Sequence, residues 1–121
     1  MNIIPYLKSR GKLNLLWILV WMAVIFSASS TRGSDIPQAV SPYSYLFHFS
    51  VYVILGLLAY PFFSGWRRPV LGALLFCVLY GVSDELHQLF VPGRSFGVDD
   101  MLIDAAGGLV GALIARRLDV E

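Results

Sequence analysis

The sequence predicts an all-α polytopic membrane protein, a four-helix up-and-down transmembrane bundle occupying residues 1–121 as a single domain. Three observations lead there. Hydrophobic residues make up 57% of the chain and charged residues only 14%, with a mean hydropathy of +0.69, a balance that suits lipid better than water. The apolar residues fall into four runs of spanning length separated by Pro, Gly and charge. The connections are short, which favours antiparallel neighbours, and lipid cannot satisfy the open edge of a sheet.

The first helix is expected over 13–31, a stretch free of Asp, Glu, Lys and Arg that would span about 28 Å at ~1.5 Å per residue, close to a hydrocarbon core of ~30 Å. Lys8, Arg10 and Lys12 before it, and Ser27-Ala28-Ser29-Ser30 at its end, also fit a cleavable signal peptide. Three further apolar segments follow, so the chain stays polytopic on either reading. Pro37 and Pro42 mark a loop, and a second helix is expected over 45–63. Pro61, Ser64-Gly65 and Arg67-Arg68 close it. Pro69 suits the first turn of a third helix, expected to run to Phe90 before Val91-Pro92-Gly93 breaks it. Gly97 and Asp99 open a fourth, expected over 99–115 and ended by Arg116-Arg117.

Basic residues set the orientation. Seven of the nine lie in the N-terminal tail, between helices two and three, or at the C-terminus, leaving Arg32 and Arg94 for the other loops. Both termini are therefore expected in the cytoplasm. A net charge of +1 offers no general attraction to nucleic acid, and the lone Cys77, inside an apolar run, reads as a packed thiol. Gly107, Gly108 and Gly111 give helix four a small-residue face in G-x-x-x-G spacing, suited to close packing inside the chain or, as the second choice, to a homo-oligomer.

Polar residues gather at the end assigned to the outside. Asp35, Asp84, Glu85, Asp99, Asp100 and Asp104, six of the eight acids, lie in or beside its two loops. Asp84, His87 and Gln88 share a helical face, as do Asp100, Asp104 and Gly108. His48 enters at similar depth from helix two, and Ser27 and Ser30 approach from helix one. The expected site is thus a polar pocket of Ser27, His48, Asp84, Glu85, His87, Gln88, Arg94, Asp100 and Asp104. Carboxylates within a membrane span are costly unless paired, protonated or wet, so this concentration points to function more than to helix glue. An acid with a His can act as a general acid/base pair, Arg94 suits phosphate or carboxylate, and the acids with His48 and His87 can furnish ligands to a divalent metal. No standard catalytic motif chooses among these, and no cofactor is fixed.

The run from Tyr80 through Asp84-Glu85-Leu86-His87-Gln88 to Pro92-Gly93-Arg94-Ser95, followed by Asp100 to Gly111 with its D-x-x-x-D-x-x-G pattern, resembles the signature of the VanZ-like family. His48-Phe49-Ser50-Val51-Tyr52 matches that family's H-x-x-x-Y in the second helix, and Phe26-Ser27 the end of its first. Two positions depart: Ser44-Tyr45 stands where many members carry Asp-Lys, and Asp104 where Asn is frequent, which alters the charge balance of the site. The resemblance implies a bacterial cytoplasmic-membrane protein whose site faces the cell wall or periplasm, and a family named for glycopeptide resistance, notably to teicoplanin. The leading expectation is a module in the lipid bilayer that binds an anionic lipid or cell-wall precursor through Arg94. Its competitors are a membrane hydrolase or transferase using Asp84 or Glu85 with a His, an oligomeric transporter subunit, and a structural accessory protein.

Overall fold

A computed structural model describes residues 11–30, 44–93 and 97–120. These form four helices, α1 (Gly11–Ser29), α2 (Ser44–Phe63), α3 (Pro69–Gln88) and α4 (Val98–Val120), with no strand among the described residues. Pro69 stands in the first turn of α3, where a missing N–H leaves no bond unmade. At its other end α3 stops two residues before the expected Phe90. There the amides of Leu89, Phe90 and Val91 donate to carbonyls three residues back, a tighter coil than the α-helix, before Gly93 turns the chain at φ 76°. Apolarity alone carries no signal for that tightening. Helix α4 runs to Val120 and not to residue 115, because Arg116-Arg117 are good helix formers whose charge suits a C-terminal turn.

Contacts along the bundle give the directions of the helices. His48 near the start of α2 meets Asp104 near the start of α4, and Tyr60 near the end of α2 donates to Asp119 near the end of α4 at 3.3 Å. Ser30, just past α1, meets His87 at the end of α3. Glu85 near the end of α3 meets Gly97 just before α4, so alternate helices run parallel and α3 and α4 antiparallel. One end of the bundle carries exposed Arg67, Arg68, Arg116 and Arg117, and the opposite end carries Asp84, Glu85, Asp99, Asp100, Asp104 and His48.

Helix α4 approaches α2 so closely that side chains have no room between them. A Cβ on Gly111 would stand 2.0 Å from the Val53 carbonyl oxygen, and one on Gly56 would stand 2.3 Å from that of Gly108. The small-residue face of α4 is thus used inside the chain. On its other side Gly108 receives Cys77 of α3, whose Cβ lies 2.6 Å from where a side chain would begin. Ile18, Ile25, Tyr52, Leu55, Ala59, Ala73, Cys77 and Ala112 form the core around these contacts. Helix α1 is held by apolar packing and by hydrogen bonds to its neighbours. Trp21 Nε1 donates to the Val51 carbonyl at 2.9 Å, and the Tyr80 hydroxyl donates to that of Met22.

Two helical segments, Tyr45–Phe63 and Pro69–Gln88, are long and apolar enough to cross a membrane. The apolar part of α1, Leu13–Ser29, is shorter, and α4 carries Asp99, Asp100, Asp104, Arg116, Arg117 and Asp119. Of the four expected spans, two are long and apolar enough to cross a membrane, and α4 departs most because its charged residues lie inside the helix and not beyond its ends.

Candidate functional site

Three helices supply the polar end. Glycine-mediated contact between α2 and α4 brings His48, in the second turn of α2, against Asp104, in the second turn of α4, with Nδ1 to Oδ1 at 2.9 Å. Asp104 is 1% exposed and His48 8%. Helix α3 runs the other way and delivers Glu85, wholly buried, to the same level. A ligand atom from each of His48, Glu85 and Asp104 lies within 4.8 Å of the other two.

Each carboxylate is only half engaged. Glu85 Oε2 accepts the Gly97 amide at 3.2 Å, next to the start of α4 where unpaired amides favour negative charge. Glu85 Oε1 and Asp104 Oδ2 are buried with no hydrogen-bond partner among the described residues, as are the Tyr52 hydroxyl and Gln88 Nε2. Gly81 of α3 borders the same space, since a Cβ there would lie 3.5 Å from Asp104 Oδ2 and 3.7 Å from the Tyr52 ring. Asp84 is buried on α3 within electrostatic reach of Asp104. Asp100 is half-buried in the first turn of α4, and its neighbour Asp99 accepts from the Tyr45 hydroxyl, which ties the starts of α2 and α4 together.

Not every expected residue joins this cluster. His87 turns toward α1, where its Nε2 lies 2.8 Å from Ser30 Oγ and its ring stacks on Phe26 at 4.2 Å. Ser27, expected in the pocket, lies on the exposed side of α1, and Ser29 is buried in its place. Arg94, expected above the acids, falls outside the described residues together with Arg32 and Asp35. Tyr52, named in the H-x-x-x-Y match but not placed in the expected pocket, stands one helical turn beyond His48 on the same face and joins the cluster through its hydroxyl.

Chemically, the described cluster combines one imidazole with three or more acids, and among the described residues no Lys or Arg lies at this end of the bundle. It can pass a proton between His48 and Asp104, accept hydrogen bonds, or ligate a cation. No curated protein and no solved structure matches the chain. A family model does: VanZ/LLP1 matches residues 14–119, a range that takes in all four helices and every described residue of the cluster. By that match the chain belongs to the VanZ/LLP1 family.

Proposed function

We propose that this protein crosses the bacterial cytoplasmic membrane several times, with both termini inside, and that its polar end faces outward and binds an anionic component of the envelope, a lipid-linked phosphate or a wall precursor. The observation that carries this reading is the convergence of His48, Glu85 and Asp104 from three helices at one end of an otherwise apolar bundle, with carboxylate oxygens still unengaged among the described residues. Buried polar groups without partners are costly and are kept where a ligand or reaction uses them.

Several features support the membrane setting. Leu46, Leu79, Leu86, Phe90 and Leu102 are at least half exposed, a surface suited to acyl chains and poorly suited to water. The arginine pairs at the opposite end fit the cytoplasmic side. The Asp104 carboxylate within α4 is tolerable in a span because it points inward against His48. In this reading Arg94, which follows Pro92-Gly93 in the sequence, supplies the anion contact, and a wall-directed ligand would connect the protein to teicoplanin susceptibility.

A second reading has one observation in its favour. The His48–Asp104 pair, with Glu85 beside it, has the proximity needed for general acid/base chemistry on a lipid or phosphate substrate. The two readings separate in detergent solution. Addition of a polyprenyl monophosphate is expected to raise the melting temperature of the purified protein without being consumed, while a zwitterionic phospholipid has no effect. Release of inorganic phosphate would favour the enzyme. Equal responses to both lipids would remove the binding reading.

A further inference from the structure

We infer that His48, Glu85 and Asp104 form a binding site for one divalent metal ion, of the class that takes mixed imidazole and carboxylate donors, such as Zn²⁺ or Mn²⁺. The inference rests on the reading of this cluster as a ligand site and names its first occupant.

The donor set is the starting point. An imidazole with two carboxylates is a common composition for zinc, manganese and non-haem iron sites, and here the three come from three different helices, so an ion would cross-link α2, α3 and α4 at one point. Distances agree. The 2.9 Å between His48 Nδ1 and Asp104 Oδ1 is that of a hydrogen bond, and it is also the separation of neighbouring ligands on an octahedral ion with bonds of about 2.1 Å, roughly 3 Å. With all three ligand atoms inside 4.8 Å of one another, a small inward rotation of side chains completes the set.

An independent observation points to the same place. Glu85 is 0% and Asp104 1% exposed, yet Glu85 Oε1 and Asp104 Oδ2 have no hydrogen-bond partner among the described residues. A carboxylate buried for structural reasons uses both oxygens, whereas Glu85 keeps Oε1 available while the Gly97 amide holds Oε2, and Asp104 keeps Oδ2 available beside the Oδ1 that faces His48. The Gly97 bond orients Glu85 from its outer side, as supporting bonds do in metal sites. The unpartnered Tyr52 hydroxyl, buried beside Asp104, is placed to bond a water on the ion. An ion also resolves a conflict of charge, because an acidic cluster repels an anionic ligand and a bound cation would attract one.

The test uses the full chain purified in detergent, stripped with a chelator and titrated with Mn²⁺ by electron paramagnetic resonance. The expected result is one ion bound per chain with nitrogen coupling from a single imidazole. In Glu85→Gln and Asp104→Asn, both close in shape to the native side chains, affinity should fall at least about 10-fold, the lower limit for loss of even an outer partner. His48→Ala should lose the nitrogen coupling. Should these variants fail to fold, the native protein decides alone: coupling at one ion per chain supports the site. Absence of saturable binding, or equal binding by Glu85→Gln and Asp104→Asn, overturns it. A parallel titration with polyprenyl monophosphate keeps the two claims apart. Lipid binding to protein that takes up no metal refutes the ion and leaves the proposed function standing; metal uptake without lipid binding does the reverse.

Discussion

Substituting Gly111 by Ala tests the frame on which the site depends. The added Cβ would fall 2.0 Å from the Val53 carbonyl oxygen and 2.9 Å from the Leu57 amide nitrogen, both backbone atoms of α2 that no rotamer can move. Restoring an ordinary contact of 3.4 Å to Val53 requires the helices to part by about 1.4 Å along that line. Overpacking of this kind costs roughly 1–3 kcal/mol. Asp104 lies seven residues from Gly111, about 10 Å along α4, so the same separation would stretch the 2.9 Å His48–Asp104 contact beyond hydrogen-bonding range. Thermal unfolding in detergent, followed by monodisperse recovery on size exclusion, should show Gly111→Ala melting lower than the parent. Gly65→Ala, where a Cβ meets nothing within 4 Å, serves as the control and should melt unchanged. Equal melting of both variants would show that α2 and α4 do not meet through these backbones, and the placement of His48 against Asp104 would fall with it.

Three further outcomes are expected. Asp104→Asn keeps an oxygen for His48 and should leave membrane abundance and melting near the parent while ligand binding is lost; His48→Ala, which strands a buried acid, should cost up to ~3–5 kcal/mol and lower abundance. Immunoblots and binding on the same samples check this, and a parallel fall of both quantities in Asp104→Asn would favour a structural network. A reporter active only outside the cytoplasm should work when fused after Ser95 and fail after Arg68, the reverse pattern placing the acids in the cytoplasm. Trp21→Phe removes the indole bond to the Val51 carbonyl and should destabilise the attachment of α1 by about 0.5–1.5 kcal/mol, measured as faster proteolysis after residue 30; unchanged cleavage would show that the bond does not hold α1.

The helices were legible where the chain announces them, through runs without charge, Pro69 at a first turn and Gly93 at a break. Their ends were less so. Arg116-Arg117 look like a stop at a membrane face, yet nothing in either side chain opposes a further turn of helix. For the site, helical spacing put His48, Asp84 and Asp104 at one depth and turned Glu85 roughly 100° away from Asp84, but depth is not direction, and it is Glu85 whose ligand atom lies within 4.8 Å of those of His48 and Asp104. Asp84 and His87 are three residues apart and so differ by roughly 60° around α3, enough for His87 to face Phe26 of α1 while Asp84 is buried. Gly107 and Gly111 announced a close approach without naming α2 as the partner, since a small face fits any helix that offers another. Tyr52 was visible only through the H-x-x-x-Y resemblance and not as a pocket residue, because its ring satisfies the core and only its hydroxyl belongs to the polar end.

Cys77 gives the molecule a clock of its own. It is the single thiol of the chain, fully enclosed, and pressed against Gly108 where α3 meets α4. A maleimide can reach that sulfur only during intervals when the two helices stand apart, so the rate of alkylation in native membranes counts openings of the interface without any engineered label. Slower alkylation in the presence of an occupant at Asp104, one turn from Gly108 on α4, would register that occupant across the bundle as a lengthening of the closed time.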